Sequence, residues 1–120
     1  TLKDIRIREN AINSALKEAT YIPLQTLKYC EQIMDLVIQV AQLGNPSSIS
    51  DVGVAGEMAH AGAQGAALNI LINLKDIPDK KFCKKINEKT NLILDIANER
   101  VLIIRNIVKE TLKDGKNTYT

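Results

Sequence analysis

Positions 44 to 54 read Gly44-Asn45-Pro46-Ser47-Ser48-Ile49-Ser50-Asp51-Val52-Gly53-Val54 and gather a carboxylate, several hydroxyls and a carboxamide in one short stretch. Asn45, Ser47, Ser50 and Asp51 are the types that hold a polar ligand at a helix N-terminus, and the residues after them are sterically bare. Taken alone, capping is the simpler explanation. Ser50 or Ser48 can serve as N-cap, and Asp51 complements the positive end of the helix dipole. Further on, Asn69 and Asn73 stand four apart, hence on one helical face, inside an apolar run. Such amides need partners. A heteroaromatic ligand with a donor–acceptor edge is one, and a neighbouring helix is the other. Metal chemistry is a poor fit, because His60 is the only histidine and Cys30 and Cys83 lack a Cys-x-x-Cys or His-x-His companion. Nucleophilic triads fail for the same reason. Lys80, Lys81, Lys84, Lys85 and Lys89 make either a solvated helix face or a docking place for carboxylates.

Helices must position these residues, for no stretch alternates with period two long enough to be a strand. The spacing predicts a helix over 2–20, which Pro23 ends or kinks, and an apolar face resuming at Leu24, Leu27, Cys30, Met34, Val37 or Ile38, and Ala41. The turn cluster 44–48 stops it. A third helix is predicted over about 51–74, where ten of the sixteen residues 52–67 are Gly or Ala. Each glycine costs roughly 1 kcal/mol against alanine in a helix, so close approach of another backbone or a ligand is the expected reason. Ile77-Pro78-Asp79 breaks the chain. A last helix over about 80–114 is predicted to turn Phe82, Ile86, Ile93, Ala97, Ile104, Ile107 and Leu112 inward and to stop at Gly115, before a polar tail. The expected fold is all-α, an antiparallel bundle of long helices.

Composition narrows the functions. The 120 residues carry a net charge of +2, too small to draw a polyanion without local clustering, and only 3% aromatics with no Trp, so stacking platforms for nucleic acid cannot be built. Residues 29–74 contain no Lys or Arg and four acids, as a central element or the wall of a ligand cavity would. Glu57, His60, Gln64, Asn69 and Asn73 interrupt that stretch too often for a membrane span. Two cysteines without a disulfide framework, and no signal peptide, fit a reducing cytoplasm.

Three blocks occur in a characteristic order. They are Ala19-x-x-x-Pro23-Leu24, then Gly44-Asn45-x-Ser47-x-x-Ser50-Asp51-x-x-Val54, then Gly65-Ala66-x-Leu68-Asn69-Ile70-Leu71-Ile72-Asn73-Leu74. The chain from about Glu9 to Lys113 resembles the cyclodeaminase/cyclohydrolase family, found as the C-terminal domain of formiminotransferase-cyclodeaminase and as free-standing proteins. The resemblance implies a dimerising all-α fold and a tetrahydrofolate-type substrate, with no metal or redox cofactor. It also implies chemistry at the N5–N10 bridge, either formimidoyltetrahydrofolate cyclodeaminase or methenyltetrahydrofolate cyclohydrolase. A non-catalytic dimerisation or small-ligand module is the alternative.

The family's N-terminal Pro-Gly-Gly-Gly-Ser stretch and Asp-x-Asp-Ala helix are not in this sequence. Residues 1–120 are therefore expected to be the C-terminal part of a single domain whose first helices come in cis or in trans. Alone, the chain is expected to be oligomeric and inactive. The acid tied to the deaminase step lies in that N-terminal part, which leaves Asp51 as the catalytic candidate here, in an assisting role. Asn45, Ser47, Ser50, Asn69 and Asn73 are the implied substrate contacts.

Overall fold

Thr20 and the apolar positions 24, 27, 30, 34 and 37 recur at helical spacing, and all six are buried along one helix, α1 (Leu2–Leu43). The computed structural model describes the backbone of residues 1–118 and the side chains of residues 1–113. A short 3-10 turn, Pro46–Ser48, leads to α2 (Ile49–Lys75), and residues 76–79 lead to α3 (Lys80–Thr118). The links are too short for anything but antiparallel neighbours, so α1 and α3 run one way and α2 the other. The bundle measures 80 × 18 × 18 Å. The all-α expectation holds, and the described residues form three long helices.

Pro23 does not end a helix. It sits within α1. The proline has no N–H to give the carbonyl four residues back, so one bond of the ladder, to Ala19, is absent. Packing of Leu24 and Leu27, at 2% and 0% exposure, carries the helix across that gap. At the far end, Gly44 closes α1 by donating its N–H to the Val40 carbonyl at 2.6 Å. A Cβ on Gly44 would stand 2.5 Å from that same oxygen, which is why the residue is glycine.

The last helix also departs from its expected end. It continues past Gly115 to Thr118. A glycine stop uses a left-handed residue, and no glycine here has positive φ. The first residues of the expected polar tail are thus helical, while Tyr119 and Thr120 lie outside the described residues. Leu112 does not join the core either. It is 54% exposed, on the side of α3 turned to α2, whereas Ile86, Ala97 and Ile104 are buried as expected.

Small residues on α2 set the spacing of the bundle. A Cβ at Gly56 would meet Ile104 Cγ2 of α3 at 2.7 Å, and one at Gly62 would meet Cys30 Sγ of α1 at 2.9 Å. Close packing is thus the reason for these two glycines. Gly65 has nothing within 4 Å of its Cβ position, so its reason lies elsewhere.

Polar links fasten α3 to the others. Arg100 donates to the Glu31 carbonyl at 2.7 Å and also pairs with the Glu31 carboxylate, tying α3 to α1. Asp79 caps α3, with Oδ1 accepting from the Phe82 N–H at 3.1 Å, while its Oδ2 accepts from Lys17 Nζ at 2.7 Å. The Lys17 contact, then the cap, hold the Asp79 carboxyl below its ordinary range. A depressed carboxyl contributes stability above its unfolded pKa and loses it as pH falls through the folded one. Asp79→Asn is therefore expected to flatten the acid side of the stability–pH curve, below the ordinary aspartate range. Urea midpoints at stepped pH check this, and identical slopes for variant and parent would contradict it.

Candidate functional site

The outer faces of α1 and α2, away from α3, form a groove along the bundle. One end is walled by Ala19, Ile22, Pro23 and Thr26 of α1 and by Gly65, Asn69, Ile72 and Asn73 of α2, with room for about 510 Å³. Two of the three sequence blocks, distant in the chain, thus meet in one place. Proline places a helix carbonyl lacking its usual donor on this wall, at Ala19. Gly65 keeps the floor open, and its missing side chain is explained by access rather than by helix packing. Asn69 and Asn73 lie one helical turn apart on the α2 wall. The groove can pair with a planar ligand edge through carboxamide donors and acceptors, between apolar walls supplied by Ile22 and Ile72.

The block at positions 44–54 is elsewhere. Asp51 borders the other end of the same groove, with Ile33, Leu36 and Val40 of α1, in a hollow of about 320 Å³. Eighteen residues of helix separate it from Asn69, which is about 27 Å at 1.5 Å per residue. Ser50 turns to the opposite side of α2, towards Met58, Arg105 and Leu112. Asn45 and Ser47 are exposed in the turn, where Asn45 Oδ1 accepts from the Ser47 N–H at 3.1 Å. Ser48, not Ser50, is the N-cap of α2, and its side chain makes no capping bond. The six candidates therefore fall into separate groups. Asn69 and Asn73 share the roomier end, Asp51 stands at the other end, and Asn45, Ser47 and Ser50 face neither.

Sequence reasoning missed the α1 wall of the site. Ala19 and Pro23 were visible as a motif, but nothing marked Ile22 and Thr26 as their companions. Their spacing was the usable signal, since 19, 22, 23 and 26 share one face of a continuous helix. It also missed a ladder of polar contacts between α2 and α3. There His60 Nε2 lies 2.8 Å from Asn98 Oδ1, and Gln64 donates to the same oxygen at 3.1 Å. Next along, Arg105 grips Glu57 with both ends of its guanidinium, at 2.6 and 2.9 Å. That grip holds the Glu57 carboxyl below the usual range and raises Arg105. His60 is thus half-buried with partners. Lys80, Lys81, Lys84, Lys85 and Lys89 are all exposed, as a solvated face. Among the described residues, no group of three His, Cys, Asp or Glu could hold a metal ion, and no helix is long and apolar enough to cross a membrane.

Comparison with known proteins converges on one lineage. The methenyltetrahydrofolate cyclohydrolase of Methylorubrum extorquens is 39% identical over 97 residues, covering 78% of this chain and 47% of the relative. The formimidoyltransferase-cyclodeaminase of Dictyostelium discoideum is 38% identical over 92 residues, covering 77% of this chain and 17% of the relative. That of Rattus norvegicus is 32% identical over 97 residues, covering 81% and 18%. The chain thus spans about half the length of the first relative and under a fifth of the other two. Residues 1–92 match the sequence profile described as formiminotransferase-cyclodeaminase, which takes in α1, α2, the groove between them and the first turns of α3, and the chain belongs to that family.

Proposed function

We propose that this domain works on the N5–N10 bridge of a tetrahydrofolate, as a formimidoyltetrahydrofolate cyclodeaminase or a methenyltetrahydrofolate cyclohydrolase. The observation that carries the reading is the end of the α1/α2 groove where Gly65, Asn69 and Asn73 face Ala19 and Pro23. In this reading the pterin lies there, with its amide edge on the asparagines and its rings between Ile22 and Ile72. In the deaminase direction N10 attacks the formimidoyl carbon on N5, ammonia leaves, and the methenyl bridge closes. In the hydrolase direction water adds to the bridge carbon, and the N5–C bond opens to leave a formyl group on N10. Both pass through a tetrahedral carbon, and both additions and eliminations require proton transfers, hence orientation and an acid–base group but no redox partner. Carboxamides orient without titrating, so Asn69 and Asn73 position the substrate. Asp51, about 27 Å away at the other end of the groove, does not reach a pterin held there, so in this reading the acid that moves protons is another group.

Titration calorimetry with 5,10-methenyltetrahydrofolate tests the pocket. Asn69→Leu and Asn73→Leu should each weaken binding about 10- to 100-fold, the effect of one or two lost hydrogen bonds in a site partly shielded from water. Both side chains lie on the groove wall, so the helical signal and melting point should hardly move. Unchanged affinity in both variants would remove the groove from the reading.

A further inference from the structure

We infer that the roomier end of the α1/α2 groove selects folates by charge, holding the one-carbon unit as a cation and discriminating against neutral folates of the same shape. This deepens the folate reading above and rests on it. A formamidine is a strong base, so a formimidoyl group on N5 is protonated at neutral pH. The closed methenyl bridge is cationic by constitution, whereas the 10-formyl product of ring opening is neutral. Charge therefore separates the species that must be held from one that must leave.

The walls of this end carry no ionised side chain, since they are built from Ala, Ile, Pro, Thr, Gly and Asn. Their polar groups offer negative potential. The Ala19 carbonyl lacks its helical donor because of Pro23. The carboxamide oxygens of Asn69 and Asn73 can turn towards a cation. Ile72 and Asn73 also belong to the last turn of α2, which ends at Lys75, where the helix dipole presents its negative end. Charged neighbours sort by sign in the same sense. Within a turn of the walls along α1 and α2, Lys17, Lys28 and Lys75 are the only lysines or arginines. Lys17 Nζ is held on Asp79 at 2.7 Å and over the Phe82 ring at 5.3 Å, on the α3 side. Lys28 and Lys75 each come two residues after a wall residue, Thr26 and Asn73, hence about 200° round the helix from it. The acids stand the other way. Glu18 comes four residues before Ile22 and Asp76 three after Asn73, so each shares a face with its wall, and both are exposed. The absence of Lys and Arg from residues 29–74 thus leaves the α2 wall without a positive side chain.

Two isosteres decide it. 5-Formimidoyltetrahydrofolate and 5-formyltetrahydrofolate differ at the one-carbon unit by a protonated nitrogen against an oxygen. Binding of each to the full chain is read by rapid mixing, ahead of any turnover. The parent is expected to prefer the cation about tenfold or more, and less so as salt is raised. Thr26→Lys and Asp76→Lys should each cut that ratio about five- to tenfold, the effect of a unit charge roughly 7 Å away in a groove partly open to water. Thr26→Glu should widen it by a similar factor, with Thr26→Gln as the neutral control. Both positions are exposed, so these variants should fold. Because the readout is a ratio, a variant that merely damages the groove lowers both affinities and leaves the ratio unmoved. Equal affinities in the parent would overturn the charge selection while the folate reading stands. A ratio that ignores the charge at 26 and 76 would overturn it too, since hydrogen bonding alone would then explain the preference. If neither folate binds, the folate reading itself falls and takes this inference with it.

Discussion

Gly56→Leu should cost the folded chain about 3 kcal/mol, at the upper end of what overpacking a well-filled core does. The first added carbon already stands 2.7 Å from Ile104 Cγ2 and 3.1 Å from its Cδ1. Ile104 is 1% exposed, and its Cγ2 is fixed on the β-carbon beside the backbone rather than at the end of a flexible side chain. The rest of the leucine side chain must then push α2 and α3 apart, next to Gly53, whose own Cβ position is already 3.4 Å from Val108. Leucine is the better helix former by under about 1 kcal/mol, which offsets part of the loss but not its sign. Gly65→Ala supplies the control, because its Cβ enters open space and should raise stability by up to about 1 kcal/mol. Denaturant midpoints for the two variants should move in opposite directions. Equal shifts would show that glycine content, rather than contact, governs this helix.

The contrast between those glycines shows what could be read from the sequence. A run of Gly and Ala in a helix announces that something comes close, because helix propensity alone opposes it. It does not say on which side. Gly56 answers to α3, Gly62 to α1, and Gly65 to no atom within 4 Å, three meanings for one residue type within ten positions. The core face of α1 was legible for a stronger reason, since Leu24, Leu27, Cys30, Met34 and Val37 repeat without interruption and all are buried. The continuity of α1 through Pro23 was not legible. A proline's local cost is visible in sequence, whereas the burial on either side that outweighs it is a property of the folded bundle. The end of α3 failed the same way in reverse, with Gly115 offering a stop that the chain does not take.

The candidate site divides along similar lines. Chemistry-bearing types were easy to find, because Asn69 and Asn73 interrupt an apolar run and Asp51 stands near the start of its helix. Their grouping was not, since sequence proximity put Asn45, Ser47, Ser50 and Asp51 together. A helix turns neighbours to different faces. Ser50 and Asp51 are adjacent in the chain, yet one faces α3 and the other α1. Conversely, Pro23 and Asn69 are far apart in sequence and share a groove only because α1 and α2 are antiparallel.

Pro23→Ala should stabilise the chain and weaken its proposed site together. Proline in a helix interior is about 3 kcal/mol less favourable than alanine, through the missing N–H and the steric push of its ring. Here α1 is fully helical on both sides, so the native backbone suits alanine, and most of that difference should appear as a higher denaturant midpoint. The new N–H would bond the Ala19 carbonyl and close the gap in the ladder. That carbonyl lies where Ala19 and Pro23 wall the groove opposite Asn69 and Asn73, so closing the gap takes away an acceptor that a pterin donor could use. Affinity for 5,10-methenyltetrahydrofolate should then fall about tenfold, the equivalent of one hydrogen bond of ordinary strength. A sequence that keeps a destabilising residue at a binding wall is showing the usual conflict between stability and function. If Pro23→Ala gained stability and bound the folate as tightly as the parent, the proline would be only a tolerated interruption, and the Ala19 carbonyl would have no part in recognition.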